Sequence, residues 1–426
     1  MPLNLPSRAL IASLLNAVLL SQSFAASLAL SKAEDAGISS ERLQRIHPLI
    51  QSHIDAKDLS GAVTLVVRRG KLVHFEAQGS TDFESNQPMR TDTLFRMASM
   101  TKPITAVAVL MMMEEGKLIL SDPVSKYIPE FKNPKVAVWN LPNDPKGAGV
   151  RLVTADREVT LQHLLTHTAG LAVSTEGPAG EFYRQANLSQ EGISLAEYCK
   201  RAGALPLNFQ PGTQWQYTST VGFSILGRVV EIVSGMNLDQ FFKQRIFAPL
   251  GMNNTFFNIP PERMADVATV YTRSDKGLTK QNLPRPLPPG VEFFAGSGGL
   301  TGSAQDYLQF CQMLLNGGQR NGARLLSRKS VELMTDNAIG NLDLANYPVQ
   351  GQNLSGYGFG LGVRVRKSTG ASGWLGSVGD YGWAGANGTY FWIDPKEQLI
   401  GMVLMATTVG RLRTEFPNAV YQAIID

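Results

Sequence analysis

The spacing of apolar residues changes period along this chain and divides it into elements. Residues 41–56 (ERLQRIHPLIQSHIDA) carry apolar side chains at helical intervals. Residues 61–67 and 71–78 are apolar runs around Arg68-Arg69-Gly70, which predicts two strands and a hairpin. The run 104–113 is rich in Ala, Leu and Met and lacks Gly, which favours a helix. Pro103 fits that helix only in its first turn, where a missing N–H costs nothing. The helix is apolar nearly all round, so it is expected to be buried. Gly116 stops it, and residues 118–131 bring Asp-Pro turn chemistry.

The middle of the chain reads as helices. They are expected at 159–171, 195–201, 221–234 and 238–247, with Gly235 as a break. Residues 133–156 hold three prolines and read as a loop. Residues 283–290 (LPRPLPPG) are the most proline-rich piece and predict a crossing between subdomains. A Gly-rich loop at 296–302 precedes a helix at 304–315; it lacks the spacing of a phosphate loop. Residues 357–366 alternate as a strand, and 381–387 (YGWAGAN) read as a Gly-rich turn. Residues 389–393 and 398–406 predict a strand pair joined by Asp394-Pro395-Lys396, and 414–425 a last helix. Strands at both ends, helices between and no βαβ repeat argue an α+β fold with an antiparallel sheet. The expected division is a signal segment at 1–26, a sheet domain from 27–120 and 291–426, and a mainly helical domain at 121–290.

Composition adds limits. The 426 residues are 43% hydrophobic and 17% charged, enough for one large domain or two interleaved ones. A net charge of +4 without any basic run gives no sign of a nucleic-acid partner. Cys199 and Cys311 lie in no CxxC and read as two small buried hydrophobes, a long-range disulfide being the other option. Arg8, an apolar run at 9–20 and small residues at Ser23, Ala25 and Ala26 resemble a secretory signal cleaved near Ala25 or Ala26, which predicts export. The run is short for a membrane span, and no membrane association is expected after its removal.

The chemistry starts at Ser99, three residues before Lys102 at the head of the apolar helix. Three residues apart, the two side chains share a helix face. Helix N-termini also offer unpaired N–H groups to a developing oxyanion. Ser99/Lys102 is the one Ser-x-x-Lys in the chain. A nucleophilic serine needs a base within reach. All five histidines lie in the first half, and no GxSxG elbow occurs, so a Ser-His-Asp triad has no support and no histidine is expected to be essential. His163 and His167, four apart on the expected helix, lack the Glu of HExxH and read as packing or hydrogen-bonding residues rather than zinc ligands. Lysine and tyrosine remain. A buried lysine can fall in pKa and accept the serine proton itself; if it stays charged, it can lower a tyrosine whose phenolate does so. Tyr217, which follows the Pro211-Gly212 turn, is the candidate phenol.

Ser99-Met100-Thr101-Lys102, Tyr217-Thr218-Ser219 and Trp383-Ala384-Gly385 stand in the order of the three site motifs of class C β-lactamases and related penicillin-binding proteins. The resemblance extends to the segment at 163–171 (HLLTHTAGL), to Pro249-Leu250-Gly251-Met252, and to Gly298-Gly299-Leu300 with Ala304, Asp306 and Tyr307. Trp383 stands where lactamases carry Lys, and Ser219 where they carry Asn. In this the chain looks like the family VIII carboxylesterases. That resemblance implies a lactamase-like sheet domain with an inserted helical domain, and an acyl-enzyme on Ser99 with Lys102 and Tyr217 as base and acid. It also implies an oxyanion hole from the Ser99 and Ala386 amides, Gly385 allowing close backbone approach, and Trp383 as an apolar wall suited to neutral esters. The implied substrate is a small ester; no metal or organic cofactor is implied. A β-lactamase or D-alanyl-D-alanine peptidase is the nearest alternative, and a non-catalytic binding protein on the same scaffold the next.

Overall fold

A computed structural model describes residues 29–85, 87–140, 149–172, 177–188, 192–275, 277–282, 292–342, 344 and 354–426. The expected signal segment and the proline-rich piece at 283–290 lie outside the described residues. The fold is α+β. Its large sheet has seven antiparallel strands: β1 (Gly61–Arg68), β2 (Lys71–Gly79), β3 (Tyr357–Phe359), β4 (Arg364–Arg366), β5 (Tyr381–Ala384), β6 (Tyr390–Asp394) and β7 (Leu399–Met405). The order across the sheet is β3-β4-β5-β6-β7-β1-β2. The two ends of the chain meet where β1 pairs with β7, Ala62 opposite Met405 through Arg68 opposite Leu399.

Side chains alternate faces along a strand, so a sheet covered on both sides shows two separate sets of buried residues. In β1, Val63, Leu65 and Val67 join the main core, while Ala62 and Val66 pack with Ile46, Ile50, Trp392 and Phe416 in a second, smaller core. Every residue of β1 is buried. The smaller core lies under the helix Ile46–Asp55 and the C-terminal helix Leu412–Tyr421.

The main core surrounds α1 (Thr101–Glu114), in which every residue from Thr101 to Met112 is buried. It packs against α2 (Val221–Ser234), and α3 (Ala304–Leu315) lies along β6 and β7. Pro103 falls in the first turn of α1, where the expectation placed it.

Four expectations need correction. The 133–156 loop contains a strand pair, Lys135–Trp139 with Val150–Thr154; both segments are rich in β-branched residues, and Pro134 falls just before the first. The single strand at 357–366 is a hairpin, because Gly360 and Gly362 turn the chain between β3 and β4. The turn at 381–387 begins as strand β5. The helix expected at 159–171 is short, Leu161–Leu165, and His167 lies beyond it with φ at +57°. His163 and His167 therefore share no helical face. Among the described residues, no group of three His, Cys, Asp or Glu side chains could hold a metal. Cys199 and Cys311 are both buried free thiols.

Candidate active site

Ser99 sits in a single 3-10 turn, Ala98–Met100, that feeds directly into α1. The turn is entered through Ala98 at φ +46°, a left-handed conformation that side chains with a Cβ rarely adopt. Its surroundings hold the turn in place. Tyr307 donates to the Met100 carbonyl at 2.8 Å, Thr389 Oγ1 to the Met97 carbonyl at 3.2 Å, and the Leu300 amide to Thr101 Oγ1 at 3.2 Å. Ser99 is 6% exposed.

Two side chains converge on Ser99 Oγ. Lys102 Nζ lies 3.1 Å away and Tyr217 Oη 2.7 Å away. Lys102 also reaches the carbonyls of Ser219 and Ser297, each at 2.7 Å. The lysine is fully buried, and burial pushes its amine well below the ordinary value. Among the described residues no carboxylate pairs with it; the two carbonyls and the Tyr217 ring, 5.1 Å from Nζ, offset only part of the cost of a buried charge. A neutral amine fits this geometry: two N–H groups meet the two carbonyls, and the lone pair faces the serine hydroxyl. The enclosed Tyr217 hydroxyl is pushed up to about 12 by burial, against the pull of its bond to Ser99. The phenol therefore keeps its proton and donates it to Ser99 Oγ. Of the two routes left open by the sequence, the geometry favours the lysine as proton acceptor.

Tyr217 is held by His167. The Gln216 amide donates to the His167 carbonyl at 3.0 Å, and the Thr218 amide to its Nδ1 at 3.2 Å. Thr218 Oγ1 lies 2.9 Å from the same nitrogen. An amide can only donate, so Nδ1 is the acceptor and the ring is the neutral Nε2–H tautomer. Burial lowers its pKa far below the ordinary value, and nearby Lys102 adds to this. The ring also packs edge-on to Tyr217 with centroids 4.8 Å apart. Sequence reading placed His167 among hydrogen-bonding or packing residues, which it is, but missed that it lies directly behind the phenol.

The strand end after β5 closes the site. Neither the Ser99 nor the Ala386 amide meets an acceptor among the described residues. Both residues line one cleft of about 730 Å³. Gly385 is required by backbone rather than substrate: a Cβ there would fall 2.3 Å from the Met97 carbonyl and 2.2 Å from Thr389 Oγ1. Buried Arg413 donates to the Gly385 carbonyl at 2.7 Å, and Thr408 to the Ala386 carbonyl. Trp383 does not form the expected wall. It is 2% exposed, stands 5.4 Å from the Tyr217 ring, and is absent from the cleft lining. In-strand alternation accounts for this, because Trp383 points into the main core. The apolar wall is built instead by Phe257, Ile259, Met264, Phe293 and Phe294.

A nucleophilic oxygen between an amine lone pair and a phenol, beside two free amides, is an arrangement suited to acyl transfer. Comparison with known proteins agrees. The sequence model of the Beta-lactamase family matches residues 46–424. Protein Rv1367c of Mycobacterium tuberculosis is 35% identical over 365 residues, covering 84% of this chain and 88% of that protein. Esterase EstB of Burkholderia gladioli is 34% identical over 286 residues, 62% of this chain and 68% of that protein. Among solved structures, EstCE1, described as a hydrolase with promiscuous acyltransferase activity, superposes with a TM-score of 0.74 at 25% identity, over 91% of this chain and 99% of that one.

Proposed function

The chain belongs to the Beta-lactamase family and is a serine hydrolase, and from that premise we propose that it is a carboxylesterase acting on small or medium-chain esters through an acyl-enzyme on Ser99. The observation that carries this reading is the pair of hydrogen bonds converging on Ser99 Oγ. As the oxygen attacks the ester carbonyl, Lys102 takes its proton. The developing oxyanion meets the Ser99 and Ala386 amides. Tyr217, whose hydroxyl contacts the same oxygen, passes a proton on to the departing alcohol. Water then attacks the acyl-enzyme by the same path in reverse.

Esterase EstB, with its esterase name, supports ester over amide chemistry, as does the largely apolar cleft. Relatives named putative D-alanyl-D-alanine carboxypeptidase, 28% identical, keep a peptidase or lactamase as the second reading. Hydrolysis of p-nitrophenyl butyrate beside nitrocefin, by wild type and by Ser99→Ala, Lys102→Ala and Tyr217→Phe, separates them. Efficient ester turnover, weaker nitrocefin turnover and losses of roughly four orders of magnitude or more in kcat for Ser99→Ala are expected. Faster nitrocefin turnover favours the second reading; an unaffected Ser99→Ala would end both. The proposal includes export, tested by the mass of the mature N-terminus.

A further inference from the structure

Among the described residues one charged side chain lines the cleft, and the mechanism above does not use it. Arg96 forms the end of a two-residue strand, Phe95–Arg96, pairing with Thr301 three residues before the nucleophile. Its guanidinium is half-buried and has no carboxylate or hydrogen-bond partner among the described residues. The neighbouring arginines differ. Arg90 is paired with Asp92 and Asp266, and Arg263 with Asp266 and Asn254. Every other described side chain lining the cleft is uncharged. Partial removal from water already pulls the Arg96 pKa down, so its charge is poorly compensated.

A guanidinium in this position is a fork of donors aimed at a planar anion. It lines the same cleft as Phe257, Ile259, Met264, Phe293 and Phe294, so a cation and an apolar surface border one space. We propose that Arg96 anchors an anionic group on the substrate, so that the cleft takes esters bearing a carboxylate away from the scissile bond, with the intervening chain against Phe257, Phe293 and Phe294. This deepens the esterase reading and rests on it. The anion supplies the counter-charge that no described residue provides. Attraction in a partly desolvated cleft is stronger than in open water, so the charge contributes both affinity and orientation.

The test compares p-nitrophenyl butyrate with the mono-p-nitrophenyl ester of glutaric acid, which adds a terminal carboxylate to a similar acyl chain. The readout is the ratio of kcat/KM for the anionic ester over the neutral one. Arg96→Gln should lower this ratio tenfold or more, while Arg96→Lys, which keeps a cation, should lower it less. Added salt should lower the wild-type ratio as well. A ratio in Arg96→Gln within twofold of wild type would overturn the proposal. A measurement on wild type alone guards against a variant that does not fold. Phenylacetate should inhibit butyrate hydrolysis at least tenfold more tightly than phenylacetamide; equal inhibition overturns the proposal. Turnover of both esters that survives Ser99→Ala would instead overturn the esterase reading beneath it, leaving the two failures distinct.

Discussion

The Arg413 guanidinium donates a 2.7 Å hydrogen bond to the carbonyl of Gly385. That carbonyl belongs to the same peptide unit as the Ala386 amide, the proposed oxyanion donor. In a trans peptide the two point in opposite directions, so fixing one aims the other. Arg413 comes from the C-terminal helix and is fully buried, and it keeps its charge at neutral pH. It is a positioning residue that never touches substrate. Arg413→Met should lower kcat by roughly ten- to a hundredfold, less than the loss of an oxyanion donor itself, with KM changed only a few-fold. Steady-state kinetics read this split, and a thermal melt checks that the fold persists. Equal losses in kcat and folded fraction would assign Arg413 to structure alone.

The acid limb of the pH profile should belong to Lys102. Its pKa is lowered, so the lone pair is present above that value and is lost as pH falls through it. Tyr217 is raised to about 12 and keeps its proton across the usual range. The log of kcat/KM should rise with unit slope from acid pH, level off, and stay level until the phenol ionises. A fall on the alkaline side well below that point would mean that a charged Lys102 and a phenolate do the work. Stability carries the same sign. Between the lowered value and 10.5 the unfolded chain binds the extra proton, so Lys102's contribution to stability rises with pH through that window.

His167 is the histidine whose replacement should reach the chemistry. The other four are engaged elsewhere: His47 with Glu76, His53 with Asp58 and Glu415, His74 with Thr64, and His163 in the cap of its own helix. His167→Phe keeps the aromatic packing but removes the acceptor for the Thr218 amide. It should lower kcat by roughly tenfold, the scale of a displaced catalytic group, with little change in KM. His167→Asn, which returns an acceptor, should recover part of the loss. Identical kinetics for the two variants would show that the Nδ1 bond does not matter.

Ala98 holds its left-handed conformation at a cost of about 1–2 kcal/mol. Glycine removes that strain but loses about 0.5–1 kcal/mol through a freer unfolded chain. Ala98→Gly should therefore leave the melting temperature unchanged or raise it slightly, whereas Ala98→Val should lower it clearly. Differential scanning calorimetry decides, and a destabilised glycine variant would argue against strain at this turn.

Local patterns made the main parts of the fold legible. The hairpin of β1 and β2, helix α1 and helix α3 follow from runs whose period and stop signals agree. The nucleophile and its lysine were readable for the same reason, because two residues three positions apart at a helix start must meet. Tyr217 was readable as a candidate from the turn before it and from motif order, but its 118-residue separation from Ser99 leaves no local trace of their contact. What was not legible depends on tertiary packing. His167 sits outside the helix expected for it, so its neighbours could not be read from spacing. Trp383 was assigned to substrate, yet strand alternation turns it into the core. Arg96 and Arg413 carry no pattern at all, because an arginine's role depends on which carboxylates and carbonyls the fold brings to it. The proline-bearing stretch at 133–156 misled because Pro134 directly precedes the first strand rather than interrupting it.

The most direct measurement is the intact mass and peptide map of the protein after reaction with a p-nitrophenyl alkylphosphonate. The mechanism predicts a single adduct on the peptide holding Ser99, formed slowly in Lys102→Ala and absent in Ser99→Ala. An adduct on any other residue, or an unchanged adduct in Ser99→Ala, would contradict it.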